Sequence, residues 1–597
     1  MNTPFARLPA LLATAIAGLL VAACGSVGTA PTLAPAAADF KASCAALQGQ
    51  VVAGAQIGLP SGNATLRSAT FVPAAAASGS GASLRPATPD HCQVLGSIAP
   101  VDPAAQPIQF QVNLPVAWNR KALQYGGGGY NGVLVTGLAP LRDAAPDDPL
   151  PLMRGYVTLG TDSGHQASAF AANSIGQFGL NDEMLANYGY AAYKKTHDVA
   201  LAIMRLYYAQ APARFYYFGG SEGGREGLTM AQRFPADYDG IVSVVPVVQL
   251  SMLFQSYIPR TVPQFSGGWM NAGKVRTLAT YVSDRCDALD GIADGVVSNY
   301  RACPSRIDLQ ALRCNGGADT GDGCLSDAQI AMVRSVHAPN DFPFPLANGL
   351  TRYPAWFYGN ETTPDPVDAT MTRWVTGSAV PTEPPNAASA GQYWLYGSNF
   401  VKFFVTRDAN FDVRTYKPAD FKVRLQQVSA LIDSSNPDLS AFFARGGKLI
   451  VRENMGDLAQ SPQAGIDYFA AVQARVGAQV TRESARLYIS PASTHSGHAS
   501  SVTDGSPVPT MVDLLDPLDR WVSAGTAPDA LVQTVKNTAP PHALRASRPM
   551  CQYPDYRTTW AETGWWPRAT PAGLRSPEGV LRDRAPAAAT SSASSTA

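Results

Sequence analysis

The pentapeptide Gly219-Gly220-Ser221-Glu222-Gly223 follows the strand-like run Arg214-Phe-Tyr-Tyr-Phe218 and precedes a helix-compatible stretch from Gly224 to Phe234. In that setting G-x-S-x-G demands an abrupt strand-to-helix turn. Small neighbours are needed because the backbone is crowded, and the helix N-terminus favours negative charge developing near the serine. A turn of this kind belongs in a wound α/β sheet, and the rest of the chain agrees from about Ile108 onward. Ala122 to Tyr125 leads into Gly126-Gly-Gly-Gly129, Tyr156 to Leu159 into Gly160-Thr-Asp-Ser-Gly-His165, Lys448 to Val451 toward Asp457, and Arg486 to Ile489 toward His495. Sites in open α/β sheets collect beyond the carboxyl ends of strands, where these polar residues fall. Between about residues 250 and 435 the text turns irregular, aromatic-rich and Pro-punctuated, which reads as an insertion serving as a lid.

A serine hydroxyl needs an adjacent base, and in this elbow architecture the chain order is serine, acid, histidine. Of the seven histidines, His495, His498 and His542 follow the elbow and the candidate acids. His542 lies in the Pro-rich Ala539-Pro-Pro-His542 and reads as surface loop, so His495 is the expected base with His498 as competitor. His165 reads as a hydrogen-bonded structural residue. Asp457 is the expected acid and Glu453 the fallback. Two N–H donors must hold the oxyanion. Glu222, next after the serine, supplies one; the glycine run supplies the other, with Gly127 chosen ahead of Gly126 and Gly128. The run lacks the Lys-Ser/Thr of a P-loop, which disfavours a phosphate cradle.

Forty-five Lys+Arg balance 45 Asp+Glu, so no net field draws the chain to nucleic acid. With 46% hydrophobic and 15% charged residues it can bury a sizeable core. Residues 1–24 read as an export signal: Arg7, the apolar run Leu8 to Ala23, then Val21-Ala-Ala-Cys24-Gly25, which resembles a lipobox. Residues 25–39 read as a tether and 561–597 as a C-terminal segment with a low-complexity tail. The expected location is exported, either periplasmic or anchored at the outer membrane through Cys24, or secreted, with no other membrane contact. Seven further cysteines, Cys44, Cys92, Cys286, Cys303, Cys314, Cys324 and Cys551, show no paired C-x-x-C spacing, and export permits disulfides among them.

The assembled residues resemble the tannase and feruloyl esterase family, which includes hydrolases of terephthalate monoesters. The resemblance rests on Gly219 to Gly227, Gln232-Arg-Phe-Pro235, Tyr238-Asp-Gly-Ile241, Cys286-Asp-Ala-Leu-Asp-Gly-Ile-Ala-Asp-Gly295 and Pro549-Met-Cys-Gln-Tyr-Pro554. It implies an α/β-hydrolase fold, with core segments at 40–249 and 436–560 around a lid domain at 250–435. It implies a structural calcium ion held by the carboxylates of Asp287, Asp290 and Asp294 and the carbonyls of Ile292 and Val296. It also implies disulfides Cys44–Cys92, Cys286–Cys303 and Cys314–Cys324, which leaves Cys551 outside the three pairs. Members usually carry cysteines immediately before the nucleophile and after the base, joined as a brace; Gly220 and Ser496 stand there in this chain. Where terephthalate monoesters are the substrate, a lid arginine grips the free carboxylate, and residues 392–404 offer Lys402 but no arginine. The expectation is a serine esterase acting on a small-molecule ester of an aromatic acid (feruloyl, galloyl or terephthaloyl), with Trp394, Tyr396 and Phe400 stacking on the ring. The alternatives are a ligand-binding lipoprotein on the same fold, or an acyltransferase.

Overall fold

Apolar runs such as Ile241-Val242 and Leu449-Ile-Val451 have no polar alternation, so as strands they need cover on both faces. The computed structural model, which describes residues 39–79, 85–362, 370–557 and 580–582, provides that cover. Its main sheet has ten strands: β1 (Val51–Val52), β2 (Ala64–Val72), β3 (His91–Ile98), β4 (Ile108–Pro115), β5 (Lys121–Tyr125), β6 (Val157–Thr161), β7 (Arg214–Gly220), β8 (Gly240–Val244), β9 (Lys448–Asn454) and β10 (Ala485–Ser490). They lie side by side in the order β1-β2-β3-β4-β6-β5-β7-β8-β9-β10. The strands from β1 to β4, and β4 with β6, pair antiparallel; from β6 across to β10 every pair is parallel. The register sets Gly220 beside Val244, Val244 beside Arg452 and Asn454 beside Ser490. The carboxyl ends of β7, β9 and β10 therefore face one side of the sheet.

Helices α1 (Ala192–Tyr208) and α6 (Pro462–Val476) share an apolar cluster with one face of the sheet, through Val199, Ile203, Ile466 and Phe469 against Val112, Tyr217 and Val451. Helix α7 (Leu515–Ala524) covers the other with Leu518 and Trp521 against Tyr216, Val242 and Ile450. Helix α2 (Glu222–Arg233) leaves directly from β7.

The antiparallel β1 to β3 lie upstream of the pattern that announces the sheet. In β2 only Ala64 and Leu66 are fully buried, and the Ala and Ser residues beyond them give too little contrast for a two-residue period. The stretch from 250 to 435 contains helices α3 (Leu250–Thr261), α4 (Gln392–Asn399) and α5 (Lys422–Ile432) rather than irregular chain throughout. In α3 every residue but Pro259 is buried, so no amphipathic period exists to be read. Much of this stretch packs in a second apolar cluster that also takes in Tyr130, Phe178, Tyr188 and Leu458 from outside it.

The three bridges Cys44–Cys92, Cys286–Cys303 and Cys314–Cys324 are present. Residues 1–24 and all of the tether but Asp39 lie outside the described residues, as does 561–597 apart from Val580–Arg582, which pairs with Asp555–Arg557. Among the described residues no helix is long and apolar enough to cross a membrane.

Candidate active site

Strand β7 runs straight into α2 with no loop, and Ser221 absorbs the change of direction at φ 60° and ψ −123°. A side chain is strained there, and the surroundings hold it: Ser221 N–H donates to Val244 O at 2.9 Å, and α2 begins at the next residue. A methyl on Gly219 would collide with the backbone of Gly223, and one on Gly223 would stand 2.7 Å from Gly127 O.

His495, beyond β10, and Asp457, beyond β9, meet this serine. His495 Nε2 lies 2.8 Å from Ser221 Oγ, and His495 Nδ1 lies 2.6 Å from Asp457 Oδ2. The other carboxylate oxygen of Asp457 accepts the amides of Ala459 at 2.7 Å and Gln460 at 3.0 Å, so the group cannot swivel. Asp457 is fully buried, while the His495 side chain keeps 12% of its surface exposed. The competitor His498 contributes its carbonyl, which accepts Thr494 N–H at 2.8 Å. The fallback acid Glu453 lies behind the site, completely buried, with Oε2 accepting from Gln460 at 3.2 Å and Oε1 against Gly465, where a methyl would leave it no room. Burial, reinforced by the charge of Asp457, pushes Glu453 well above the usual carboxylate range. His165 Nε2–H donates to Tyr130 O at 2.8 Å and its ring stacks on Phe178, and burial lowers it to about 3. His542 is half-buried in its turn, with Nδ1 3.1 Å from Asn537 O, and lies away from the serine in the chain's C-terminal hairpin.

The glycine run differs from expectation. Gly127 N–H donates to Glu226 Oε2 at 3.0 Å instead of pointing to a substrate oxygen, Gly126 N–H donates to Phe218 O at 2.9 Å, and Gly128 N–H to Asn131 Oδ1 at 2.6 Å. Asn131 in turn donates to Glu226 Oε1 at 2.7 Å, so a buried carboxylate on α2 anchors the loop. The Glu222 amide opens α2 and has no carbonyl one turn back to use. The Glu222 side chain is buried against Arg225 at 2.5 Å, and burial raises its carboxyl to about 7.

Of the three aromatics expected to stack on a substrate ring, only Tyr396 lies against the glycine run. It is half-buried, and a methyl on Gly129 would stand 2.6 Å from its hydroxyl. Trp394 and Phe400 are fully buried: Trp394 donates to Thr382 O at 2.8 Å and packs on Phe265, while Phe400 packs on Phe254 and Phe404. A helix turned to fill its own surroundings cannot spare those rings. Lys402 is committed as well, 2.5 Å from Glu383 with both side chains 9% exposed. The residue sequence reasoning missed is Trp374, whose ring stands edge-on to His495 at 5.2 Å and 76°. Nothing in Thr372-Arg-Trp-Val-Thr376 separates it from the other tryptophans until the insertion is folded.

Away from the serine, Asp287 accepts the amides of Asp294 at 3.1 Å and Val296 at 3.2 Å on one oxygen and of Gly295 at 2.9 Å on the other. Asp290 accepts from Ile292 at 3.0 Å and Asp294 from Val296 at 3.1 Å, all inside the loop closed by Cys286–Cys303. Burial first, and the neighbouring acids after it, bring Asp290 to about 6. The donors are hard oxygens without sulfur or nitrogen, the chemistry calcium takes. The three carboxylates neighbour one another without bringing an oxygen each within 4.8 Å; among the described residues the trio that does so is His197, Asp198 and Asp237, where Lys194 already bonds Asp198 at 2.8 Å and Asp237 at 2.9 Å.

Comparison with known proteins adds family context. The family model for tannase and feruloyl esterase matches residues 92–570. An uncharacterised esterase of Agrobacterium fabrum is 34% identical over 531 residues, covering 86% of this chain and 89% of that protein. The mono(2-hydroxyethyl) terephthalate hydrolase of Piscinibacter sakaiensis is 30% identical over 522 residues, 78% of this chain and 82% of its own. Among solved structures, feruloyl esterase B from Aspergillus oryzae superposes with a TM-score of 0.68 at 22% identity, over 86% of this chain and 96% of that one.

Proposed function

The chain belongs to the tannase and feruloyl esterase family, and from that premise we propose that Ser221, His495 and Asp457 make it a serine hydrolase of aromatic-acid esters. The observation that carries this reading is the unbroken line of hydrogen bonds from Asp457 through His495 to Ser221. Ser221 Oγ attacks the ester carbonyl as its proton moves to His495 Nε2. Asp457 fixes the imidazole by its Nδ1–H and stabilises the cation that forms. The Glu222 amide, at the positive end of α2, receives the oxyanion. Collapse of the tetrahedral species breaks the ester C–O bond, and His495 returns its proton to the departing alcohol. Water, deprotonated by His495, then attacks the acyl-enzyme and frees the acid.

The relatives named for ferulate and terephthalate esters support an aromatic acyl group, and Trp374 beside His495 and Tyr396 beside Gly129 offer ring surface for it. Lys402, buried with Glu383, is in no position to grip a free carboxylate. Calcium would be held by Asp287, Asp290 and Asp294 with the carbonyls of Ile292 and Val296; the ion would brace the loop and take no part in bond-breaking. Three disulfides suit an exported protein, and we extend this to a lipid anchor at Cys24.

A fluorophosphonate probe tests the assignment. Wild type labels at Ser221 and hydrolyses methyl ferulate, methyl gallate or a terephthalate monoester, while Ser221→Ala does neither. Hydrolysis surviving in a folded Ser221→Ala refutes it.

A further inference from the structure

A dipeptide between β5 and β6 touches all three segments that carry Ser221, Asp457 and His495. The side chain of Arg142 lies across the backbone of Gly220, immediately before the serine: a methyl on Gly220 would collide with Arg142 Cδ and stand 2.8 Å from Nη1. Asp143 sits against Gly497, two residues past His495, where a methyl would collide with Oδ1. Its Oδ2 lies 2.9 Å from Nη1 of Arg452 on β9, both side chains at most 1% exposed. From Arg452 the connection continues to Asn454 Oδ1 at 3.1 Å, and Asn454 Nδ2 donates to the carbonyl of Thr494, next to His495, at 2.8 Å. Asp143 holds φ 63° to do this and is pinned by Val512 N–H on its carbonyl at 2.7 Å.

We propose that Arg142 and Asp143 form a noncovalent clamp, a positioning pair that keeps the nucleophile turn, the acid strand and the base loop in register. The proposal rests on the catalytic reading of Ser221, His495 and Asp457. The two residues work differently. Arg142 Nε and Nη2 are buried and make no hydrogen bond among the described residues, so its contribution is the packing of Cδ and the guanidinium over Gly220. Asp143 works by charge, since removing it leaves Arg452 buried without its counter-ion. Both act on a reaction whose rate falls steeply when reacting groups are displaced by about 1 Å.

The test uses the full-length protein with p-nitrophenyl acetate, alongside the rate of fluorophosphonate labelling at Ser221. Arg142→Ala is expected to lower kcat and the labelling rate about ten-fold while KM stays within about two-fold. Arg142→Met, which keeps a stem over Gly220, recovers most of that loss. Gly220→Ala is slowed by the same collision, and the double variant Gly220→Ala/Arg142→Ala is faster than Gly220→Ala alone, because the methyl enters the space the stem leaves. Wild-type rates in Arg142→Ala, or losses that simply multiply in the double variant, overturn the clamp while the triad stands. Should Arg142→Ala not fold, Arg142→Met and Gly220→Ala decide it: equal and unimpaired rates in both overturn the clamp. Hydrolysis persisting in folded Ser221→Ala overturns the triad and the clamp together.

Discussion

Ser221, His495 and Asp457 could be read from the sequence because each follows a recognisable apolar run and the order of the three is constrained. The Gly127 donor could not, since the direction of its N–H is decided by Glu226 and Asn131. Glu453 shows the limit of reading a carboxylate by position: it lies at the same strand end as the acid, yet it is completely buried and no cation among the described residues pairs with it. Its folded-state proton is held well above the usual value of 4.5, so between that value and its own the unfolded chain releases a proton that the native protein keeps. Stability is therefore lost as pH rises through this window. Glu453→Gln carries no such proton, and its unfolding temperature relative to wild type should climb from pH 5 to pH 8. A gap that shrinks over that interval contradicts the assignment of a neutral Glu453.

Strands β5, β7, β9 and β10 were legible because a fully buried strand is a short apolar run, whereas α3 was hidden by the same burial, which erases the helical period. The loop from Asp287 to Val296 illustrates an element whose residue types suggest a role that spacing alone leaves open. With calcium bound, thermal unfolding should move up by several degrees; EGTA should reverse this, and Asp290→Asn with Asp294→Asn should make the unfolding temperature indifferent to both. Unchanged melting of wild type with and without EGTA removes calcium from the account. The absence of an effect in the double variant separates this loop from any other ion site.

At the scale of the whole molecule, the insertion is what turns a generic elbow into a site with preferences. It delivers Trp374 to His495 and Tyr396 to Gly129, residues 121 and 267 positions apart in the chain. Trp374→Ala should raise KM for methyl ferulate about ten-fold through the lost ring contact, while vinyl acetate, with no ring, changes little. Equal losses on both esters place Trp374 in support of His495 instead of the substrate. The Cys314–Cys324 bridge closes a largely exposed loop of ten residues' separation within this insertion. An endoprotease that cuts before Asp319 or Asp322 severs the polypeptide without parting it, so the nicked species should migrate as one band until reductant is added. Because β8 and β9, on either side of the break, remain neighbours in the sheet, such two-piece material should still turn over ester.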